Sequence, residues 1–366
     1  MTNRYSGFQI SKRADFKGPL FLIGMPRSGT KLLRSLLIKH PSINISRVET
    51  NFLHLLYSQW KDYGDLSDIR NFKHFFDQIQ KYSYFYYMKQ ENKLISYQNW
   101  YNLCCDFSLK QIYEALLRHD TNTHFSSNKI WGDKSPSHIN HLPILNTIFP
   151  EARFIHIIRD VRDYCLSINN AWGKNMFRAA QRWRNSVIKV KSEKHLFDDR
   201  FYEIKYEDLI SETSLVLKGI CAFLDIEYID AMCRIDQPVE NLGDAINLNT
   251  IKKDNKNKYK IYMSANRQYK IESLTADALS SYGYDVNYNN SIKEYSQTKM
   301  LFFKIFDALN LFIFYLKEKG LIETIRWNLN FIKIFSRKLY SNFFKNFFHI
   351  SINKIKDPPL ERVVLG

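Results

Sequence analysis

Four short apolar runs alternate with stretches of helical periodicity along the first part of the chain. The first, Leu20 to Gly24 (LFLIG), has four apolar residues closed by a glycine, the pattern of a short buried strand. From Lys31 onward, Leu32, Leu33, Leu36 and Leu37 recur at helical spacing. His40-Pro41 ends that helix, because the residue before a proline avoids the α region. Further strands are predicted at 129–132 (KIWG), 153–158 (RFIHII) and 201–206 (FYEIKY). The last two lead into the helical patterns VRDYCLSINNAW and EDLISETSLVLKGICAFLDI. Strands alternating with helices require crossover connections, so the predicted class is α/β with a central parallel sheet. Ligands of such sheets bind at the carboxyl ends of the strands.

Two segments fall outside this alternation. Residues 50–127 form a long insertion rich in Tyr, Phe and Trp that reads mostly as helices. It is placed to shape an acceptor site, or to pack its rings in a core of their own. From Tyr295 the character changes again. The run KMLFFKIFDALNLFIFYLKEKG is strongly apolar but encloses Lys304 and Asp307, which argues against a membrane-spanning helix. Beyond it, Ile325, Leu329, Ile332, Leu339 and Phe343 lie at helical spacing, with Arg326, Lys333, Arg337, Lys338 and Lys345 between them. A basic amphipathic helix of this kind docks on protein or lies on an anionic membrane. The expected organisation is a domain at 1–294 and a basic, aromatic-rich helical extension at 295–366.

Composition narrows the function less than it narrows the class. The 366 residues are 45% hydrophobic and 25% charged, values of a globular chain. The formal net charge of +16 suits an acidic partner, though a lysine-rich composition produces it equally well. The five cysteines are scattered and form no C-x-x-C pair, which points away from a zinc site or disulfide framework. The first 18 residues carry no apolar signal-type run, so a cytoplasmic location, with the extension free to meet a membrane, is expected. No zinc-finger spacing or aromatic RNA-binding motif supports a nucleic-acid partner.

The chemistry is concentrated where strands end. In GMPRSGTK, Gly24 to Lys31, the chain passes from strand to helix. Unpaired backbone N–H groups and the positive end of the helix dipole meet there. Arg27 and Lys31 add charge, and Thr30 adds a hydroxyl. In the triphosphatase loop G-x-x-x-x-G-K-[ST] the lysine follows the second glycine and the next hydroxyl holds magnesium. Here Thr30 occupies the lysine position and Lys31 the magnesium-ligand position, so the loop suits a metal-free anion. A second cationic motif, IHIIRDVRDYCLSI, puts Arg159 after a strand and Ser167 two turns along a helix, a pair suited to another phosphate.

With these motifs on the page, the chain resembles the PAPS-dependent sulfotransferases, in particular the carbohydrate and tyrosylprotein branch. The resemblance runs from about Pro19 to Asp285 and rests on GMPRSGTKLLRSLL, WGDKSP, FIHIIRDVRDYCLSI and YEIKYEDLI, with NKYKIYMSANRQYKIESLTADALSSYGYD as a weaker fifth stretch. It implies a P-loop-like three-layer domain. It also implies that Arg27, Ser28, Gly29, Thr30 and Lys31 hold the 5′-phosphosulfate of PAPS, that Arg159 and Ser167 hold its 3′-phosphate, and that Tyr206 lies near the nucleotide. By the same resemblance, Lys134 of WGDKSP faces the sulfuryl group or bridging oxygen, and Glu49 of RVETN is the general base that takes a proton from a hydroxyl acceptor. His54, His138 and His141 are reserve bases, since other sulfotransferases use histidine. Lys31 departs from the Thr or Ser common at its position, which leaves open whether Arg27 or Lys31 meets the bridging oxygen. No metal is expected. Two alternatives remain at this stage: a P-loop kinase or nucleotide-binding protein with Asp160 on magnesium, and a non-catalytic basic protein held on a membrane.

Overall fold

A computed structural model of the chain describes residues 16–240, 242–288 and 294–353, with side chains as far as Ile325 and at Asn328 and Leu329. The first 15 residues lie outside it, as do the side chains of most of the basic amphipathic stretch predicted after Ile325.

Five parallel strands form one sheet: β1 (Leu20–Gly24), β2 (Ile43–Ile45), β3 (Ile130–Lys134), β4 (Arg153–Ile158) and β5 (Phe201–Lys205). Their order is β2-β3-β1-β4-β5. In register, Leu22 faces Lys134 of β3 and Ile155 of β4. β1, β3 and β4 are buried along their whole length; β1 and most of β4 therefore read as apolar runs rather than alternating ones, whereas β3 buries Asp133 and Lys134 at its carboxyl end. One face of the sheet packs Leu22, Ile155 and Ile157 against Leu33, Leu36 and Leu37 of the first helix and Val216, Leu217 and Ile220 of a later one.

The order places the site. From β1 the chain moves outward to β2 and β3, then crosses back over β1 to β4. The connections therefore diverge between β1 and β4, and a crevice opens at their carboxyl ends. The loop after β1 and the loop after β4 carry the two cationic motifs, so residues more than a hundred positions apart are brought side by side.

The insertion is helical, with α-helices at Leu53–Gln59, Ile69–Ile79, Ser83–Gln90, Tyr97–Leu103 and Leu109–Asp120. Its rings pack on one another: Phe72, Phe75, Phe76 and Phe85 all meet Trp100 at centroid distances of 5.7 to 6.3 Å. They are core, each offset or edge-on to its neighbour.

The contacts divide the chain into one compact unit ending at Leu311 and a second from Phe312. In the first, a helix beginning at Gln297 docks through its polar residues. Asp307, buried within the apolar run, receives hydrogen bonds from the Asn175 N–H at 2.7 Å and from Arg178 at 2.6 Å. Asn310 donates to the Gly173 carbonyl at 2.7 Å. The second unit is helical to Asn353, with a break at Gly320. Among the described residues, no helix is long and apolar enough to cross a membrane.

Candidate functional site

The loop after β1 turns on two left-handed residues, Arg27 (φ 69°) and Gly29 (φ 93°). Gly29 is required for a second reason: a Cβ there would stand 2.4 Å from Cδ2 of Tyr206. The ring of Tyr206, from the helix after β5, thus lies flush against the loop. Gly29 then passes directly into the helix Thr30–Leu37 with no side-chain cap. The Ser28 hydroxyl is buried without a hydrogen-bond partner among the described residues. A buried unpaired hydroxyl is costly, and a phosphate oxygen at this loop is the kind of acceptor that would satisfy it.

The loop after β4 is anchored from below. Asp160 caps the helix Val161–Trp172 by accepting from the Arg162 N–H at 2.8 Å. The Arg162 side chain is fully buried. It bonds Asp160 at 2.6 Å and Glu272 at 2.6 Å and stacks on Tyr259 at 3.9 Å. The Trp183 indole donates to the Arg159 carbonyl at 3.1 Å. Arg159 is held over the Tyr206 ring at 4.5 Å, and its Nη1 donates to the Arg27 carbonyl at 3.0 Å. Its Nε is buried and unpartnered. The Arg27 guanidinium meets Ser167 (3.3 Å), Glu240 (2.8 Å) and the Leu242 carbonyl (2.8 Å).

These residues share one cavity of about 680 Å³, lined by Arg27, Gly29, Arg159, Ser167 and Tyr206. Its outer wall is the segment from Ile235 to Tyr262. This contributes Glu240, Lys252, Lys256 and Lys258, and Asn255, whose side chain donates to the Tyr206 hydroxyl at 2.8 Å. The family resemblance reached only the far end of this wall, from Asn257, and did not mark Glu240 or Asn255. The wall's one further signal was the lysine run in IKKDNKNKYK, which looks like any solvated charge cluster until the fold folds it over the crevice.

Lys31 and Lys134 line a neighbouring cavity of about 510 Å³ together with Arg34, Lys39 and Arg47. Lys134, the last residue of β3, is buried, and its ammonium lies 2.6 Å from the Glu49 carboxylate. Burial pulls the Lys134 pKa below the usual lysine value, with Glu49 opposing the shift. The other Glu49 oxygen accepts from the Asn51 amide at 3.3 Å, and Asn51 is held in turn by Ser137 at 2.6 Å. Arg47 pairs with Glu91 at 3.5 Å.

Behind this pair sits a buried carboxylate. Asp133 accepts from Thr50 (2.8 Å) and Tyr113 (2.7 Å), and His138 Nε2 stands 2.7 Å away. Burial alone would raise its pKa, but His138 and the two hydroxyls outweigh that and hold it below the usual range. Thr50 follows Glu49 and Asp133 precedes Lys134, so one hydrogen bond fixes both backbones. His138 is committed to this network, and His54 and His141 stack on each other at 3.8 Å. Among the described residues, no group of three or more His, Cys, Asp or Glu is placed to hold a metal.

A sequence model of the sulfotransferase family matches residues 19–230, which contain the loop after β1, Glu49, Lys134, Arg159, Ser167 and Tyr206. The chain belongs to the sulfotransferase family. Members of this family move a sulfuryl group from PAPS to an acceptor, and the α/β fold and enzyme class expected from the sequence stand. The fold is similar to that of the sulfotransferase domain from the curacin biosynthetic pathway, at 20% identity over 74% of this chain and 99% of that one, with a TM-score of 0.51. It is similar as well to the sulfotransferase domain of the Synechococcus PCC 7002 olefin synthase, at 22% identity over 76% of this chain and 100% of that one, with a TM-score of 0.50. A comparison with curated proteins finds no match.

Proposed function

We propose that the larger cavity holds the nucleotide of PAPS and the smaller one receives a hydroxyl acceptor, with the sulfuryl group passing between them. The observation that carries this reading is the partition of the site residues. Arg27, Gly29, Arg159, Ser167 and Tyr206 line the first cavity, and Lys31 and Lys134 line the second. In this reading Arg159 and Ser167 grip the 3′-phosphate. The Ser28 hydroxyl, the N–H groups at Gly29 and Thr30, and Lys31 hold the 5′-phosphosulfate. Arg27, whose guanidinium reaches Ser167, serves the nucleotide side rather than the bridging oxygen. All of these residues precede Tyr295, so in this reading the catalytic machinery lies within residues 1–294 and residues 295–366 are an extension that contributes none of it.

The transfer then needs little beyond placement and charge. The acceptor oxygen bonds to sulfur as the bond from sulfur to the bridging oxygen breaks. Glu49 takes the acceptor proton. Lys134 and Lys31 neutralise the charge that builds on the departing phosphate. The contact of Lys134 with Glu49 at 2.6 Å holds the carboxylate beside the lysine assigned to the sulfuryl group.

Titration with adenosine 3′,5′-bisphosphate tests the first half. Arg159→Ala should weaken binding by about tenfold or more, as expected for loss of a charge-assisted phosphate contact. Transfer from ³⁵S-labelled PAPS to cell extract tests the second. Glu49→Gln should bind the bisphosphate normally and lose at least about a hundredfold in turnover. Full turnover in Glu49→Gln removes the assignment of the base.

A further inference from the structure

The helix beginning at Gln297 is amphipathic in the opposite sense to a core helix. Its polar residues Asp307 and Asn310 face the protein. Its large apolar residues face outward: Leu301 is 57% exposed, Phe302 68%, Ile305 56%, Phe306 46% and Leu309 59%. At about 100° per residue these five occupy a sector of about 140°. Lys299 and Lys304, both exposed, lie beyond its two edges, by about 20° and about 60°. Asp307 is on the far side, neutralised by Arg178. In sequence, the same spacing continues through Phe312, Ile313 and Leu316, with Lys317 on the edge of Lys299.

An apolar face of this breadth marks an interaction site rather than an ordinary surface. We propose that it seats this enzyme on an anionic membrane surface, with the helix lying in the plane of the headgroups. Three features select that partner. Lysines flank the stripe on both sides, where their stems cover apolar surface and their ammonium groups reach lipid phosphates. The one acid between Gln297 and Leu311, Asp307, is turned inward and paired. The chain as a whole carries +16, which draws it to anionic lipid. A second copy of the chain would bring the same lysine-edged stripe to a two-fold contact, setting like charges together. The inference concerns a surface separate from the two cavities and does not rest on the donor chemistry.

The test is sedimentation of the full chain with vesicles of phosphatidylglycerol and phosphatidylcholine in equal parts, and with phosphatidylcholine alone. The parent protein should partition onto the anionic vesicles and far less onto the neutral ones. Phe302→Glu with Ile305→Glu should lower partition by about tenfold or more. Lys299→Gln with Lys304→Gln should lower it severalfold on anionic vesicles only, and being exposed these substitutions give a second reading should the glutamate pair disturb folding. Titration with adenosine 3′,5′-bisphosphate should be unchanged in the lysine pair. Failure of the parent to sediment, or equal partition of parent and variants, overturns the proposal. So does a dimer in the absence of lipid that the glutamate pair dissolves, since the face would then belong to a second copy.

Discussion

At the scale of single residues, the site depends on contacts that leave no room for adjustment. Gly29 is the sharpest case, with left-handed backbone and the Tyr206 ring where a side chain would begin. Gly29→Ala should cost about 1–3 kcal/mol of stability in urea denaturation and weaken bisphosphate binding, because the ring or the loop must move. Gly29 and Arg159 were legible in the sequence, since spacing after a strand identifies them. Glu240 and Asn255 were not. Nothing in their neighbours marks them, and they reach the cavity only because their segment folds back across it.

At the scale of elements, four of the five strands were readable from their apolar residues: β1 and most of β4 as runs buried on both faces, β3 from its apolar start, and β5 as an alternation of buried and half-buried positions. β2 was missed: a three-residue edge strand, INI, is too short to show a period. The helix Val161–Trp172 shows how a readable motif hides a second role. In RDVRD, Arg159 faces the cavity, whereas Arg162 bridges Asp160 to Glu272 beneath it. Arg162→Met should destabilise by about 3–5 kcal/mol in urea denaturation, since two buried carboxylates lose their partner. The aromatic insertion was legible as helix, and its rings prove to be packed on each other rather than aimed at either cavity.

For the whole molecule, charge links folding to pH. Burial pushes the Glu207 carboxyl up to about 7, although it accepts from the Asp160 N–H at 3.0 Å and from Tyr284 at 2.9 Å. The folded protein thus keeps a proton that the unfolded chain releases near the ordinary value of 4.5. Stability from this group is present below that value and declines as pH rises toward about 7, by up to about 3 kcal/mol. Glu207→Gln should flatten that decline, read as urea midpoints at a series of pH values. An unchanged slope would mean that Glu207 ionises like any surface carboxylate.

The pairing of Arg27 with Glu240 has a consequence for how the enzyme meets its donor. An anion supplied by the protein already sits on a cation that a nucleotide would use, so entry is an exchange of one negative partner for another. Glu240→Gln should let adenosine 3′,5′-bisphosphate in severalfold more tightly, measured by calorimetry. On the proposed assignment the displaced carboxylate would stay beside the bound anion, so Glu240→Gln should also slow bisphosphate release, read by stopped-flow dissociation.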